Sequence, residues 1–242
     1  MPGGSTSEAP LLTPPGRATV IAAVADATTR PVLAGTGAPG LKQTRNWTGA
    51  AADAGADAAL VVTPHYYSHG QATLAAYYRE LADSVEIPVY LYSVPVFTGT
   101  HLAPATIGDL AEHPNIAGLK DSSGDYEAAV RTLDRVPDSF DVLVGSASIL
   151  AQALATGASG GVMALANLAP SPLSEVAAES DPEYALARNR PLVELNRAIT
   201  TEYGVPGLKY AMRQRGLPAG YARSPHREVG DAGQARIDDL LD

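Results

Sequence analysis

The residue best equipped for covalent chemistry is Lys120, which closes the run Ile116-Ala117-Gly118-Leu119-Lys120. An amine that attacks a carbonyl must be neutral, and a dry, apolar surrounding favours that form over the ammonium. If the run is a strand, its side chains alternate, so Lys120 shares a face with Gly118 and opposes Ala117 and Leu119. With the Gly118 face turned into a barrel, the amine stands over a crowded interior. Turned outward, the same residue is a solvated strand end. Tyr92 lies one strand earlier, in Tyr90-Leu91-Tyr92-Ser93-Val94-Pro95. Neighbouring strands of a parallel sheet are ~4.8 Å apart, so a phenol and an amine at adjacent strand ends share one pocket, where the phenol can move protons. Tyr90 reads as core packing.

Other segments offer weaker chemistry. Gly3-Gly4-Ser5-Thr6-Ser7-Glu8 sets small hydroxyl residues and free backbone N–H groups before a helix starting near Thr13. That composition suits a carboxylate cradle and equally a polar tail. Gly35-Thr36-Gly37-Ala38-Pro39-Gly40 matches the G-x-G-x-x-G spacing of a dinucleotide site. Such a site also needs an acidic residue at the end of the second strand. Here that strand ends Val61-Val62-Thr63-Pro64, and Asp53 and Asp57 come too early. His65 and His69 sit in a Tyr/Ser/Gly loop without a carboxylate, so no metal is expected. No G-x-S-x-G elbow supports a serine nucleophile.

Bulk properties narrow the field. The chain has 242 residues, 45% of them apolar, and a formal charge of −9 from 26 acidic and 17 basic residues. That balance argues against nucleic acid, whose binders carry a basic patch. Cysteine is absent, which excludes disulfides and thiolate chemistry. Met1-Pro-Gly-Gly-Ser-Thr-Ser-Glu lacks the basic and apolar regions of a signal peptide, so a cytoplasmic protein is expected. Val142 to Leu173 carries no charge and is long enough to span a bilayer. Gln152, Thr156, Asn167 and several glycines interrupt it, and Pro170 and Pro172 end it, so it reads as packed helix and strand and no membrane partner is expected.

Short apolar runs alternate with longer amphipathic ones. The strand expectations are Pro31–Ala34, Ala58–Thr63, Pro88–Ser93, Asn115–Lys120, Asp141–Gly145 and Gly161–Leu165. Helices are expected over Gly40–Ala54, Gln71–Ser84, Pro104–Glu112, Asp125–Val136 and Ala147–Ala155, then over Ser174–Ala178, Pro182–Tyr203 and Val205–Arg215. Strand–helix units recurring roughly every twenty-five to thirty residues imply a parallel sheet covered by helices. An incomplete (β/α)₈ barrel fits this better than a doubly wound sheet. In barrels the chemistry sits at the C-terminal strand ends, which is where Tyr92, Lys120 and Gly145-Ser146 fall.

The motifs, taken in order, resemble the dihydrodipicolinate synthase / N-acetylneuraminate lyase family of Schiff-base (class I) pyruvate aldolases. Gly118-Leu119-Lys120-Asp121-Ser122-Ser123-Gly124-Asp125 is similar to the family's lysine strand, and Leu91-Tyr92-Ser93-Val94-Pro95 with Thr98-Gly99 to its tyrosine strand. Val61 to Tyr67, Val32 to Gly37 and Gly160 to Asn167, which includes Met163, match further strands. Gly4-Ser5-Thr6-Ser7-Glu8 resembles the family's carboxylate-binding loop, with Ser7 where glycine is usual. The resemblance implies that Lys120 forms an imine with a 2-keto acid. It implies that Tyr92 relays protons with Thr6 and Tyr66, the latter reaching across a subunit interface, and that Ser5 and Thr6 hold the carboxylate. Gly145, Ser146 and Met163 become substrate-binding residues. No cofactor is implied beyond the imine itself, and a homotetramer or homodimer is expected.

Phe97 stands where dihydrodipicolinate synthases usually carry an arginine for the second substrate. The substrate expected is therefore a 4-hydroxy-2-keto acid (4-hydroxy-2-oxoglutarate or a 2-keto-3-deoxy sugar acid), cleaved to pyruvate and an aldehyde. Dihydrodipicolinate synthesis is the alternative. Against the family pattern almost nothing precedes Gly3, so the expectation is a (β/α)₈ TIM barrel lacking its first β/α unit and most of strand two. Residues 1–168 would supply strands three to eight and 169–242 a C-terminal helical extension. Such a chain is expected to be either an aldolase with a clipped or misassigned start, poorly active alone, or a non-catalytic remnant.

Overall fold

The computed structural model describes residues 1–242. The elements are α1 (Pro14–Ala27), β1 (Leu33–Gly35), α2 (Leu41–Asp53), β2 (Ala58–Val62), α3 (Gln71–Ala82), β3 (Val89–Ser93), the one-turn α4 (Pro95–Thr98) and α5 (Pro104–Ala111). There follow β4 (Ile116–Asp121), α6 (Tyr126–Leu133), β5 (Asp141–Val144), α7 (Leu150–Ala155) and β6 (Gly160–Gly161). The rest is helical: α8 (Pro170–Ala178), α9 (Pro182–Asn189), α10 (Leu192–Arg197), α11 (Gly204–Gln214) and α12 (Asp231–Leu241). Helix starts follow capping chemistry: Thr13, Asp125 and Asp181 each accept a backbone N–H from the first turn of their helix.

The strands form one six-stranded sheet in chain order, β1 to β6. A doubly wound sheet reverses its strand order at a switch point, and this one does not. β1/β2, β2/β3 and β3/β4 are parallel. Two compact units divide between Leu143 and Val144. In the first, Ala59, Val61, Val89, Leu91 and Leu119 cover one sheet face and pack against Leu74, Tyr78 and Leu81 of α3 and Ile107 and Leu110 of α5. Burying each such leucine completely stabilises by about 1.5–3 kcal/mol. The opposite face carries Leu60, Tyr92 and Val94, with Leu33, Val62 and Tyr90 against them.

The second unit has its own core. Leu150, Ala153, Met163 and Leu165 pack with Leu173, Leu195, Leu208 and Ile237. α7 and the segment after β6 pack within this helical core. Three element expectations need correction. The strand expected over Gly161–Leu165 stops at Gly161, since Ala164–Asn167 coils into a 3-10 turn closed by Asn167 Nδ2 donating to the Ala164 carbonyl at 3.0 Å. The single helix expected over Pro182–Tyr203 breaks before Leu192, where Pro191 cannot donate to the helical ladder. α12, unanticipated, buries Ile237 and rests Leu240 and Leu241 on the same core, a helical spacing that was legible. No helix is long and apolar enough to cross a membrane.

Candidate active site

Register brings the amine and the phenol together. β3 and β4 pair Tyr90 with Gly118 and Tyr92 with Lys120. Gly118 is required here: a Cβ would fall 2.5 Å from the Tyr90 ring and 2.7 Å from the Asp141 carbonyl oxygen. The space it leaves admits the Tyr90 ring, whose hydroxyl donates to Asp141 Oδ2 at 2.6 Å. Burial, followed by that carboxylate, pushes the Tyr90 phenol up to about 12. One pleat further, Lys120 is 6% exposed and Tyr92 5%. The Lys120 Nζ stands 4.4 Å from the centroid of the Tyr92 ring, a cation–π distance while the amine is protonated.

The Tyr92 hydroxyl meets Ser5 Oγ at 3.2 Å, from a loop with no regular structure. That loop folds back on itself: the Gly4 carbonyl accepts from the N–H of Ser7 (3.1 Å) and Ala9 (3.4 Å), and the Ser5 carbonyl accepts from Glu8 (3.0 Å). Thr6, half-buried, lies within this turn. Glu8 takes a left-handed conformation, φ 55°, which costs a non-glycine residue roughly 1–2 kcal/mol. The near end is fixed to β1, where the Gly35 N–H donates to the Pro2 carbonyl at 2.9 Å. A Cβ on Gly35 would overlap the Gly3 carbonyl, and one on Gly37 would sit 2.7 Å from the Val62 backbone nitrogen. The glycines of Gly35–Gly40 thus have separate reasons: Gly35 seats the hydroxyl loop, Gly37 lets the chain pass β2, and a Cβ on Gly40 would meet nothing.

Other expected residues lie elsewhere. Tyr66 is 87% exposed, with φ 83° and its ring set edge-on to Tyr67, so it takes no part in the Lys120–Tyr92–Ser5 contact. Gly145, Ser146 and Met163 belong to the second unit. Ser146 Oγ accepts the Ser148 N–H at 3.3 Å and caps a short turn. Met163 is buried in the helical core. Asp121, next to the lysine, accepts from the N–H and hydroxyl of Ser123, and its carboxyl is held above its ordinary value by burial. No group of three or more His, Asp or Glu side chains is placed to hold a metal ion. Sequence reasoning missed Arg17, whose Nη2 donates to the Ala9 carbonyl at 2.6 Å. The one cation in α1, a helix otherwise rich in alanine, valine and isoleucine, was the available signal.

Comparison with known proteins gives a concordant result. A model of the Dihydrodipicolinate synthetase family matches residues 1–242. A DapA-like lyase of Halobacterium salinarum is 40% identical over 247 residues, across 100% of this chain and 81% of its own length. A 4-hydroxy-tetrahydrodipicolinate synthase of Methanothrix thermoacetophila is 36% identical, across 100% of this chain and 83% of its own. Among solved structures, dihydrodipicolinate synthase from Acinetobacter baumannii complexed with pyruvate superposes with a TM-score of 0.94 at 32% identity, covering 99% of this chain and 84% of the other.

Proposed function

The chain belongs to the dihydrodipicolinate synthetase family of class I, carbon–carbon bond-forming and bond-breaking enzymes, and on that premise we propose that it cleaves a 4-hydroxy-2-keto acid to pyruvate and an aldehyde through an imine on Lys120. Lys120 Nζ adds to the C2 carbonyl, and the carbinolamine loses water to give the protonated imine. That imine draws the electron pair of the C3–C4 bond as the C4 hydroxyl gives up its proton and the aldehyde departs. The resulting enamine takes a proton at C3, and water then hydrolyses the imine to free pyruvate and the amine. In this reading Tyr92 relays the protons with Thr6 and with Tyr66 reaching in from another copy, and Ser5 and Thr6 hold the carboxylate. We take the working form to be a homodimer or homotetramer in the cytoplasm; the exposure of Tyr66 fits a residue whose partner lies on another copy. In this reading the six strands are strands three to eight of an eight-stranded barrel. Residues 1–168 form the barrel portion and 169–242 a helical extension.

The observation that carries the proposal is the Lys120 amine 4.4 Å over the Tyr92 ring, with the phenol 3.2 Å from Ser5 Oγ. A second reading, condensation of pyruvate with aspartate semialdehyde, is favoured by relatives bearing the synthase name. Phe97 favours cleavage: it is 69% exposed and apolar at the place where, by the resemblance, synthases usually carry an arginine for the second substrate's carboxylate. The test assays both reactions on one preparation, following pyruvate release from 4-hydroxy-2-oxoglutarate and pyruvate consumption with the semialdehyde. Faster cleavage is expected, with Phe97→Arg moving the ratio towards condensation. A semialdehyde preference of about two orders of magnitude, or ~2.7 kcal/mol, would establish the synthase reading instead.

A further inference from the structure

The hydroxyl loop is held at its far end by a side chain to which the imine chemistry gives no role. Arg17 is 9% exposed. Besides donating to the Ala9 carbonyl at 2.6 Å, its guanidinium carbon lies 3.9 Å from the centroid of the Trp47 ring on α2. Its Nε is buried with no hydrogen-bond partner, and burial pushes the guanidinium below its ordinary value. Burying a cation with one donor unsatisfied is unfavourable, and a methionine would fill the same space without that cost. Flat stacking on an aromatic ring combined with a directed N–H to one carbonyl is what arginine supplies and lysine does not. Ala9, the residue so held, donates its own N–H back to the Gly4 carbonyl. The loop is therefore pinned at Gly35 on one side and at Arg17 on the other, with Ser5 and Thr6 between.

We infer that Arg17 is a positioning residue for keto-acid binding: by clamping Ala9 against Trp47, it sets where the Ser5 and Thr6 hydroxyls stand relative to Tyr92 and Lys120. This rests on the imine reading above. The test uses the full chain and pyruvate as the probe. Borohydride trapping on Lys120 is measured against pyruvate concentration for the unaltered protein, Arg17→Met, Arg17→Lys and Trp47→Leu, with thermal melting alongside. Misplacing a binding group by about 1 Å costs on the order of a hundredfold, so Arg17→Met should raise half-saturating pyruvate roughly tenfold to a hundredfold. Its trapping rate at saturation should change much less. Arg17→Lys should recover part of the affinity through its remaining donor, and Trp47→Leu should fall between. Leu74→Ala, a destabilising change in the sheet–helix core, should leave half-saturation where it was. The inference is overturned if Arg17→Met binds pyruvate like the unaltered chain, or if Leu74→Ala raises half-saturation as much. Should Arg17→Met not fold, Arg17→Lys and Trp47→Leu decide on the same criterion. Absence of trapping in the unaltered chain would instead overturn the imine reading, and this inference with it.

Discussion

Lys120 reaches the Tyr92 ring from a strand, whereas Ser5 meets the Tyr92 hydroxyl from a loop with no regular structure. The strand side is placed by register. Pairing of β3 with β4 sets Tyr92 opposite Lys120, and a ladder of backbone hydrogen bonds maintains that pairing, with Gly118 leaving room for the Tyr90 ring. The loop side has no ladder. It depends on one glycine–glycine approach, a few turn hydrogen bonds, a left-handed Glu8 and one buried arginine. Reactive groups on the sheet should therefore tolerate changes nearby, and those on the loop should be sensitive to them.

The largest expected effect lies on the ring between the two regions. Tyr92→Phe keeps the apolar ring under Lys120 and removes the hydroxyl that meets Ser5. Losing a positioned proton relay costs about 10²–10⁴-fold in rate, so turnover should fall by that factor while the melting temperature barely moves. Steady-state kinetics and calorimetry on one sample check it, and unchanged turnover would remove the phenol from the mechanism.

A smaller effect tests the loop's dependence on glycine. Gly35→Ala places a methyl group into the Gly3 carbonyl, and overpacking of this kind typically destabilises by about 1–3 kcal/mol. Weaker keto-acid binding should accompany the loss. Gly40→Ser, in the same glycine-rich segment, meets nothing and sits at the N-cap of α2, so denaturant unfolding should show it neutral or slightly stabilising. If the two variants behave alike, the loop does not depend on the close approach of Gly35 to Gly3.

The smallest effect concerns the sheet side and pH. Tyr90 has its phenol raised to about 12 by burial and by Asp141. The folded state therefore holds this proton more tightly than the unfolded chain. The contribution is fully present below the unfolded value of about 10 and is lost as pH rises through about 12. Tyr77, also raised to about 12 by burial, adds to the same alkaline limb. Tyr90→Phe should make the loss of stability above pH ~10 shallower without removing it. An unaltered limb would contradict the Tyr90–Asp141 tie.

What the sequence disclosed follows the same division. Lys120, Tyr92 and the Gly118 face were legible because strand periodicity fixes which side chains share a side, and the structure pairs them as alternation requires. The loop was readable only as a composition, since Gly3 to Glu8 suits a cradle and a tail alike. What orders it, Gly35 and Arg17, lies outside the loop, so the loop's own residues do not announce it. The glycine-rich segment Gly35–Gly40 shows the converse, a dinucleotide-like spacing produced by unrelated close approaches. Tyr90 was read as core packing, and its tie to Asp141 needed a residue 51 positions away. Past Gly161 the apolar run mimicked a strand, whereas the chain turns to serve the helical core.

The most direct test of the central claim is covalent capture. The protein is incubated with pyruvate and borohydride, digested, and its peptides weighed. The account predicts one added reduced-pyruvate mass, on the peptide that holds Lys120, and none on those holding Lys42 or Lys209. Lys120→Arg should abolish both the label and turnover with the fold intact, because arginine keeps the charge but supplies no neutral amine. Labelling at Lys42 or Lys209, or none at all in an otherwise folded protein, would contradict it.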